Sequence, residues 1–303
     1  MDYSVRKNYE LAGKIHKAAM KKAEKNVQPE KKLLNIAEEL EQFLLEQVAE
    51  TKKEGGLAFP VNLSVNHEAA HATPGISDET VLLQTDLLKV DIGVHIDGFI
   101  ADGAKSFNFS NDHAKQIEAN EAALEAALSM VKPGAEIKKV GEVVEPLLEK
   151  AGFKVVSNLT GHGVAEYVQH APPSVPNVRN NSFGKFEDGM AIAIEPFATT
   201  GRGTIADSSQ IEIFSVEEER SVRDPHARKI LEFAKANFAS LPFAERQLAE
   251  LKLSEFSRKV GLRELVKAGV LHSYPVLVEQ KGAFVSQAEK TVIIDGNEAI
   301  IIN

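Results

Sequence analysis

The 303 residues, 43% hydrophobic and 26% charged, suffice for one large globular domain or two modest ones and exclude a disordered chain. With Lys+Arg at 35 against Asp+Glu at 44, the formal net charge of −9 argues against a protein whose main business is holding nucleic acid or an acidic membrane surface. There is no cysteine, so disulfides and thiolate chemistry are excluded and any metal must be held by histidine and carboxylate. MDYSVRKNYE lacks an apolar signal region, and no apolar run approaches the roughly 18 residues of a membrane span. A cytoplasmic protein with no membrane contact is expected.

The first fifty residues read as two helices. HKAAMKKAEK, His16 to Lys25, is expected to be the solvated face of the first, and Pro29 to open the second, where Leu33, Ile36, Leu40, Phe43 and Leu44 recur at helical spacing. LAFPVNLSVN alternates like a strand and breaks at a helix-like HEAAH before Pro74-Gly75. KVDIGVHIDGFIADGAKSF reads as a hairpin turning on Asp97-Gly98, a dipeptide that tolerates positive φ at both positions. On that register Leu88, Val90, Ile92, Val94, Ile96, Phe99 and Ala101 form one apolar face. Lys89, Asp91, Gly93, His95 and Asp102 share the other, with Asp102 opposite Gly93 and Asp91 its diagonal neighbour at roughly 7–8 Å between backbones. Taken alone, this is equally the pattern of an antiparallel pair with one wet face.

Helices are expected at about residues 112–131 and 136–151, parted by Pro133-Gly134. Strands return in FKVVSNLTGHG, a proline-rich loop in APPSVPNV, and strands again in MAIAIEPFATTG and SSQIEIFSV. The pattern turns helical from about 224 to 270, and strands resume at YPVLVE and AEKTVIID, with Asp295-Gly296 expected as a second hairpin turn. The fold class is therefore α+β, with a helical block at about 222–272 interrupting the sheet.

His162 in TGHGVAEY, His170 in YVQHAPP, Glu195 in AIAIEPF, Glu289 in SQAEKTVII and His71 at the end of HEAAH are charged or ligating side chains set among apolar residues or glycine. Each singly has an ordinary structural explanation. Together, two aspartates, two glutamates and a histidine make an oxygen-rich set suited to hard or borderline divalent ions. Buried without an ion, such charges would repel at a cost of several kcal/mol.

FPVNLSVNHEAAHATP, KVDIGVHIDGFIAD, the GHG…H…VPN run, IEPFATTGRG and QAEKTVII, in that order, resemble the type 2 methionine aminopeptidases, archaeal ones especially, among the pita-bread metallopeptidases. The resemblance implies a single pita-bread domain: a curved antiparallel sheet, helices on its outer face, and a helical, winged-helix-like insertion at 222–272. It implies removal of the N-terminal methionine of nascent polypeptides with two divalent ions per chain, Mn, Fe, Co or Zn. Asp91, Asp102, His162, Glu195 and Glu289 would be the metal ligands, with Asp102 and Glu289 bridging. Glu195 would also act as general base. His170 would hold the substrate carbonyl, His71 would contact the scissile amide, and Phe59 and Tyr274 would wall the methionine pocket. A monomer is expected, with no stable nucleic-acid binding and room for a transient ribosome contact. Glu195 and Glu289 lie 94 positions apart (289 − 195), far more than neighbouring strands need, and the surplus is the helical block. The sequence departs from the family at Ala72, where an aromatic is usual, and at Gln169, where an apolar residue often stands. Both departures are expected to reshape the pocket and leave the metal site alone. The rivals are a prolidase or a peptidase cleaving before proline, which would use similar ligands, and a non-catalytic pita-bread protein that binds RNA, DNA or ribosomes.

Overall fold

In the computed structural model, which describes residues 1–218 and 220–303, the hairpin forms as the turn chemistry dictates. Asp97 and Gly98 have φ of 49° and 82°, Ile96 faces Phe99, and Gly93 faces Asp102. Helices α1 (Tyr3–Asn26) and α2 (Leu33–Glu50) lead into β1 (Gly55–Val65) and the short β2 (Glu68–Ala70), followed by the hairpin strands β3 (Leu87–Ile96) and β4 (Phe99–Asn108). Next come α3 (Ala114–Met130), α4 (Lys139–Lys150), β5 (Lys154–Val155), β6 (Thr160–Ala165), β7 (Val168–Pro176), β8 (Ala191–Ile194), β9 (Phe197–Thr199) and β10 (Ala206–Val216). The helical block holds α5 (Pro225–Phe238), the two-residue β11 (Phe243–Ala244), a 3-10 helix (Glu245–Leu251) and α6 (Glu255–Lys267). The chain finishes with β12 (Leu271–Val278), β13 (Val285–Gln287), β14 (Lys290–Asp295) and β15 (Glu298–Ile301).

Two antiparallel sheets form the halves of the fold, one ordered β1-β3-β4 and the other β15-β14-β8-β6-β7. They meet where β4 runs beside β14. Glu289 N–H donates to the Ala104 carbonyl at 3.0 Å, and Asp102 N–H donates to Thr291 Oγ1 at 2.9 Å. Smaller sheets, β11-β10-β12-β2 and β13-β9-β5, complete the architecture. The apolar hairpin face packs beneath α1 and α2, with Val90, Ile92, Val94 and Ile96 fully buried against Ile36, Leu40 and Leu44. A second core lies between α3, α4 and the five-stranded sheet, and a third inside the helical block around Ile230, Phe243 and Leu265. This is the α+β pita-bread architecture, with its helices on the sheets' outer faces.

Several local expectations fail for identifiable reasons. HEAAH is not helical: Glu68–Ala70 is a strand paired to β12, because backbone pairing with Leu277 and Val278 overrides helix propensity. APPSVPNV is largely strand, not loop. β7 is the edge of its sheet, the one place where prolines lacking an N–H cost the ladder little. Pro29 lies in a turn ahead of α2, whose N-cap is Lys32. The last hairpin pairs Asp295 with Glu298, so its turn residues are Gly296-Asn297, one position later than expected. Finally, His16 leaves the solvated face of α1 and is buried, its Nε2 3.0 Å from the Gly103 carbonyl.

Candidate active site

Each proposed ligand is delivered by a different strand or strand end. Asp91 and Asp102 come from the paired β3 and β4, His162 from β6, Glu195 from just beyond β8, and Glu289 from just ahead of β14. β6 pairs directly with β8, and β8 with β14, so His162, Glu195 and Glu289 converge by ladder geometry. The junction of β4 and β14 then brings the hairpin's carboxylates to the same place.

All five side chains line one cavity of about 530 Å³. Ligand atoms of Asp102, His162 and Glu289 lie within 4.8 Å of one another, and His162 Nε2 stands 3.5 Å from Glu195 Oε1 and 3.9 Å from Asp102 Oδ2. Gln287 Nε2 donates to Asp91 Oδ2 and to Glu289 Oε2, both at 3.2 Å, which ties Asp91, the fourth carboxylate, into the group. Glu195 is fixed from behind, its carbonyl accepting from Asn177 Nδ2 at 2.9 Å.

The electrostatics are those of a cation site. Burial pushes Asp91 up to about 7. Burial, then the neighbouring carboxylates, hold Asp102, Glu195 and Glu289 well above the usual carboxylate range. His162 Nδ1 lies 3.0 Å from the Gly163 carbonyl, which can only accept, so Nδ1 carries the proton and the Nε2 lone pair faces the carboxylates. Asp91 Oδ1 is buried with no partner among the described residues. Four carboxylates and an imidazole lone pair around one cavity, with Gln287 donating to only two of them and Asp91 Oδ1 unpartnered, fit a divalent ion.

His71, His170, Phe59 and Tyr274 line the same cavity. His71 adopts φ 62° and its Nδ1 donates to the Pro275 carbonyl at 3.2 Å, so its Nε2 is the unprotonated nitrogen. Burial depresses His71 to about 4, and burial with the nearby histidines depresses His170 to about 3, so both are neutral at neutral pH. Tyr274 stands edge-on to His71 at 5.5 Å between centroids, its hydroxyl 3.1 Å from Ser215 Oγ. Phe59 pairs with Gly93 and lies across its backbone. Ala72 is buried beside His71 and is not among the cavity's lining residues, whereas Gln169 is. Gln169 acts on Asp102 from the cavity wall, tending to hold that acid ionised against the burial that raises it.

Sequence reasoning overlooked the residues that hold the ligands in place. Gln287 sits two positions before Glu289, and that period-2 spacing was its available signal. Thr291 Oγ1 and Asn303 Nδ2 donate to the Asp102 carbonyl at 2.8 and 2.6 Å, a clamp across distant strands that no local pattern announces.

A buried carboxylate–histidine cage at the junction of two antiparallel sheets defines a metal-dependent hydrolase of the pita-bread class, and the model of metallopeptidase family M24 matches residues 7–223. The chain belongs to that family. The methionine aminopeptidase of Archaeoglobus fulgidus is 39% identical over 301 residues, 99% of each chain, and that of Pyrococcus abyssi is 40% identical over 291 residues, 96% of each. Among solved structures, a thermophilic Arx1 aligns with TM-score 0.89 at 20% identity, covering 100% of this chain and 91% of that one. The methionine aminopeptidase of Thermotoga maritima aligns with TM-score 0.68 at 21% identity, covering 100% and 97%. At those identities the structural likeness speaks for the fold alone.

Proposed function

We infer that this chain is a metal-dependent aminopeptidase that removes the N-terminal methionine of polypeptides. The observation that carries the reading is the meeting of Asp91, Asp102, His162, Glu195 and Glu289 in one cavity that His71, His170, Phe59 and Tyr274 also line. Relatives named methionine aminopeptidase, similar over nearly their whole length, support the substrate. Asp91, Asp102, His162, Glu195 and Glu289 would hold two divalent ions, with Asp102 and Glu289 shared between them as the family resemblance implies. Mn, Fe, Co and Zn all accept this ligand mix. When bound, the ions supply Lewis-acid polarisation and a nucleophile available at neutral pH.

The chain's own groups do the rest. Glu195, whose Oε1 stands 3.5 Å from His162 Nε2 in the cavity, would take a proton from the nucleophile and pass it on. Neutral His170 donates its one N–H to the scissile carbonyl and holds the tetrahedral oxygen. His71 Nε2 faces the scissile amide and would help the leaving nitrogen collect the proton taken from the nucleophile. Phe59 and Tyr274 wall an apolar pocket for the methionine side chain. The helical block contributes Pro242 to the cavity lining, and we read residues 222–272 as an insertion into the catalytic domain. No helix among the described residues is long and apolar enough to cross a membrane. Action on nascent chains is consistent with a cytoplasmic monomer working within reach of the ribosome.

The test is hydrolysis of Met-Ala-Ser and of an Ala-Pro peptide by the protein reconstituted with each metal in turn. Release of methionine from the first is expected. Turnover of the proline substrate alone would overturn the methionine assignment.

A further inference from the structure

We propose that Arg246, delivered by the helical block, is a positioning residue for His71, a role resting on the aminopeptidase reading above. In that reading His71 faces the scissile amide, so the aim of its ring decides how well the leaving nitrogen is served. The backbone sets that aim.

His71 adopts φ 62°, in the left-handed region, which a residue carrying a Cβ holds only when the chain around it is fixed. On its N-terminal side Ala70 pairs with Leu277 of β12, and the ring itself is held by the Pro275 carbonyl. On its C-terminal side the residues from Ala72 to Pro74 belong to no helix or strand. Hydrogen bonds alone tie them down. The Ala72 carbonyl accepts from Leu63 N–H at 2.6 Å, and Thr73 Oγ1 donates to the Val61 carbonyl at 2.8 Å. Arg246 Nη1 donates to Thr73 Oγ1 and to the Pro74 carbonyl at 2.7 and 3.0 Å.

Arg246 is itself anchored. Its Nη2 donates to Glu41 of α2, and the same Glu41 oxygen accepts from Val61 N–H at 2.9 Å. Val61, Glu41, Arg246 and Thr73 therefore close a circuit that starts at the N–H of Val61 and returns to its carbonyl. All four are buried, so water cannot stand in for a broken link. The guanidinium suits this closure because its terminal nitrogens meet different partners at a fixed angle. The circuit joins β1, α2, the segment after His71 and the 3-10 helix of the block. Of its described residues the block puts only Pro242 into the cavity wall, and Arg246 is its second, indirect hold on the site.

The experiment compares Met-Ala-Ser with methionine p-nitroanilide, whose weakly basic leaving amine depends less on a donated proton. Arg246→Lys keeps a cation for Glu41 without the fork, and Thr73→Val keeps the side chain's shape while removing the link from Arg246 to Val61. Each is made alone and together with His71→Ala, with manganese titration by calorimetry alongside. In the manganese-loaded protein each single variant should lower kcat for Met-Ala-Ser about tenfold or more, with KM and manganese affinity changed less than about twofold. The anilide should lose less than about threefold. In the His71→Ala background neither substitution should lower kcat further. Losses that add to that of His71→Ala, or that are equal for the two substrates, overturn the proposal by showing a general loosening of the cavity. Wild-type turnover in Arg246→Lys overturns it too. A wild-type rate in His71→Ala would remove the role read for that histidine, and the proposal with it. If Arg246→Lys does not fold, Thr73→Val carries the same comparison.

Discussion

Replacing Gly93 with alanine should damage the methionine pocket while sparing the metal cage. A Cβ at Gly93 would stand 2.1 Å from Phe59 Cε1, 2.4 Å from Cδ1 and 2.8 Å from Cζ. Carbon atoms pack at about 3.5 Å, so the ring must retreat by roughly 1.4 Å. Phe59 is 3% exposed, and away from Gly93 it borders the catalytic cavity, so the retreat is into the space the substrate side chain needs. Overpacking of this kind costs about 1–3 kcal/mol, which lowers Tm by several degrees in a chain of this size. The larger effect should be on specificity. kcat/KM for Met-Ala-Ser should fall at least about tenfold, more than for Gly-Ala-Ser, with manganese stoichiometry unchanged. Adding Phe59→Leu to Gly93→Ala removes the clash and should return part of the stability. The reasoning is refuted if Gly93→Ala keeps wild-type Tm and wild-type methionine turnover, because Phe59 would then not be held between the β3 backbone and the pocket.

Removing Gln287, which reaches Asp91 and Glu289 together, should weaken manganese binding about 10–100-fold in Gln287→Ala, read by calorimetry; unchanged affinity would show that the two carboxylates hold their places unaided. Asp102→Asn should abolish stoichiometric metal and peptidase activity together, and an active variant without metal would defeat the metal reading. Between pH 6.5 and 8 the metal-free protein should lose stability as pH rises. Asp91, at about 7, keeps a proton in the fold that the unfolded chain has already shed, and Asp102, Glu195 and Glu289 are raised in the same direction; Lys89, depressed to about 7 by burial, opposes them as one group against four, while His71 and His170, depressed to about 4 and about 3, act only below pH 6.5, where falling pH destabilises. A melting temperature that climbs through that window would contradict the argument, and saturating manganese should remove the decline. Arg246 pairs with buried Glu41 and donates to Thr73 Oγ1 and the Pro74 carbonyl at 2.7 and 3.0 Å, so Arg246→Ala should destabilise the fold by about 3–5 kcal/mol in denaturant melts.

The parts of this site that could be read from the sequence are those set by short-range rules. Asp97-Gly98 dictated a two-residue turn, the turn dictated the register, and a period of two then placed Asp91 and Asp102 on one face. Residues that depend on contacts between distant strands carried no such mark. β7 was hidden by prolines that are tolerable only at an edge, and its position as an edge depends on the whole sheet order.

Gln169 illustrates how a departure from a family pattern acquires meaning only in three dimensions. In the chain it precedes His170 and looks like a change of pocket polarity. In the fold it lines the cavity with Asp102 and favours that residue's ionised form, whereas Gln287 reaches Asp91 and Glu289. Asp102 is held through its carbonyl by Thr291 and Asn303. The central carboxylate of the cage therefore has its backbone anchored across the junction of the two sheets, while its charge faces the cavity. Such an arrangement keeps the carboxyl groups together before any cation arrives, in part by holding protons the ion would displace. Cohesion of the β4–β14 junction and assembly of the metal site are then one structural event, because the residues that join the sheets also aim the ligand.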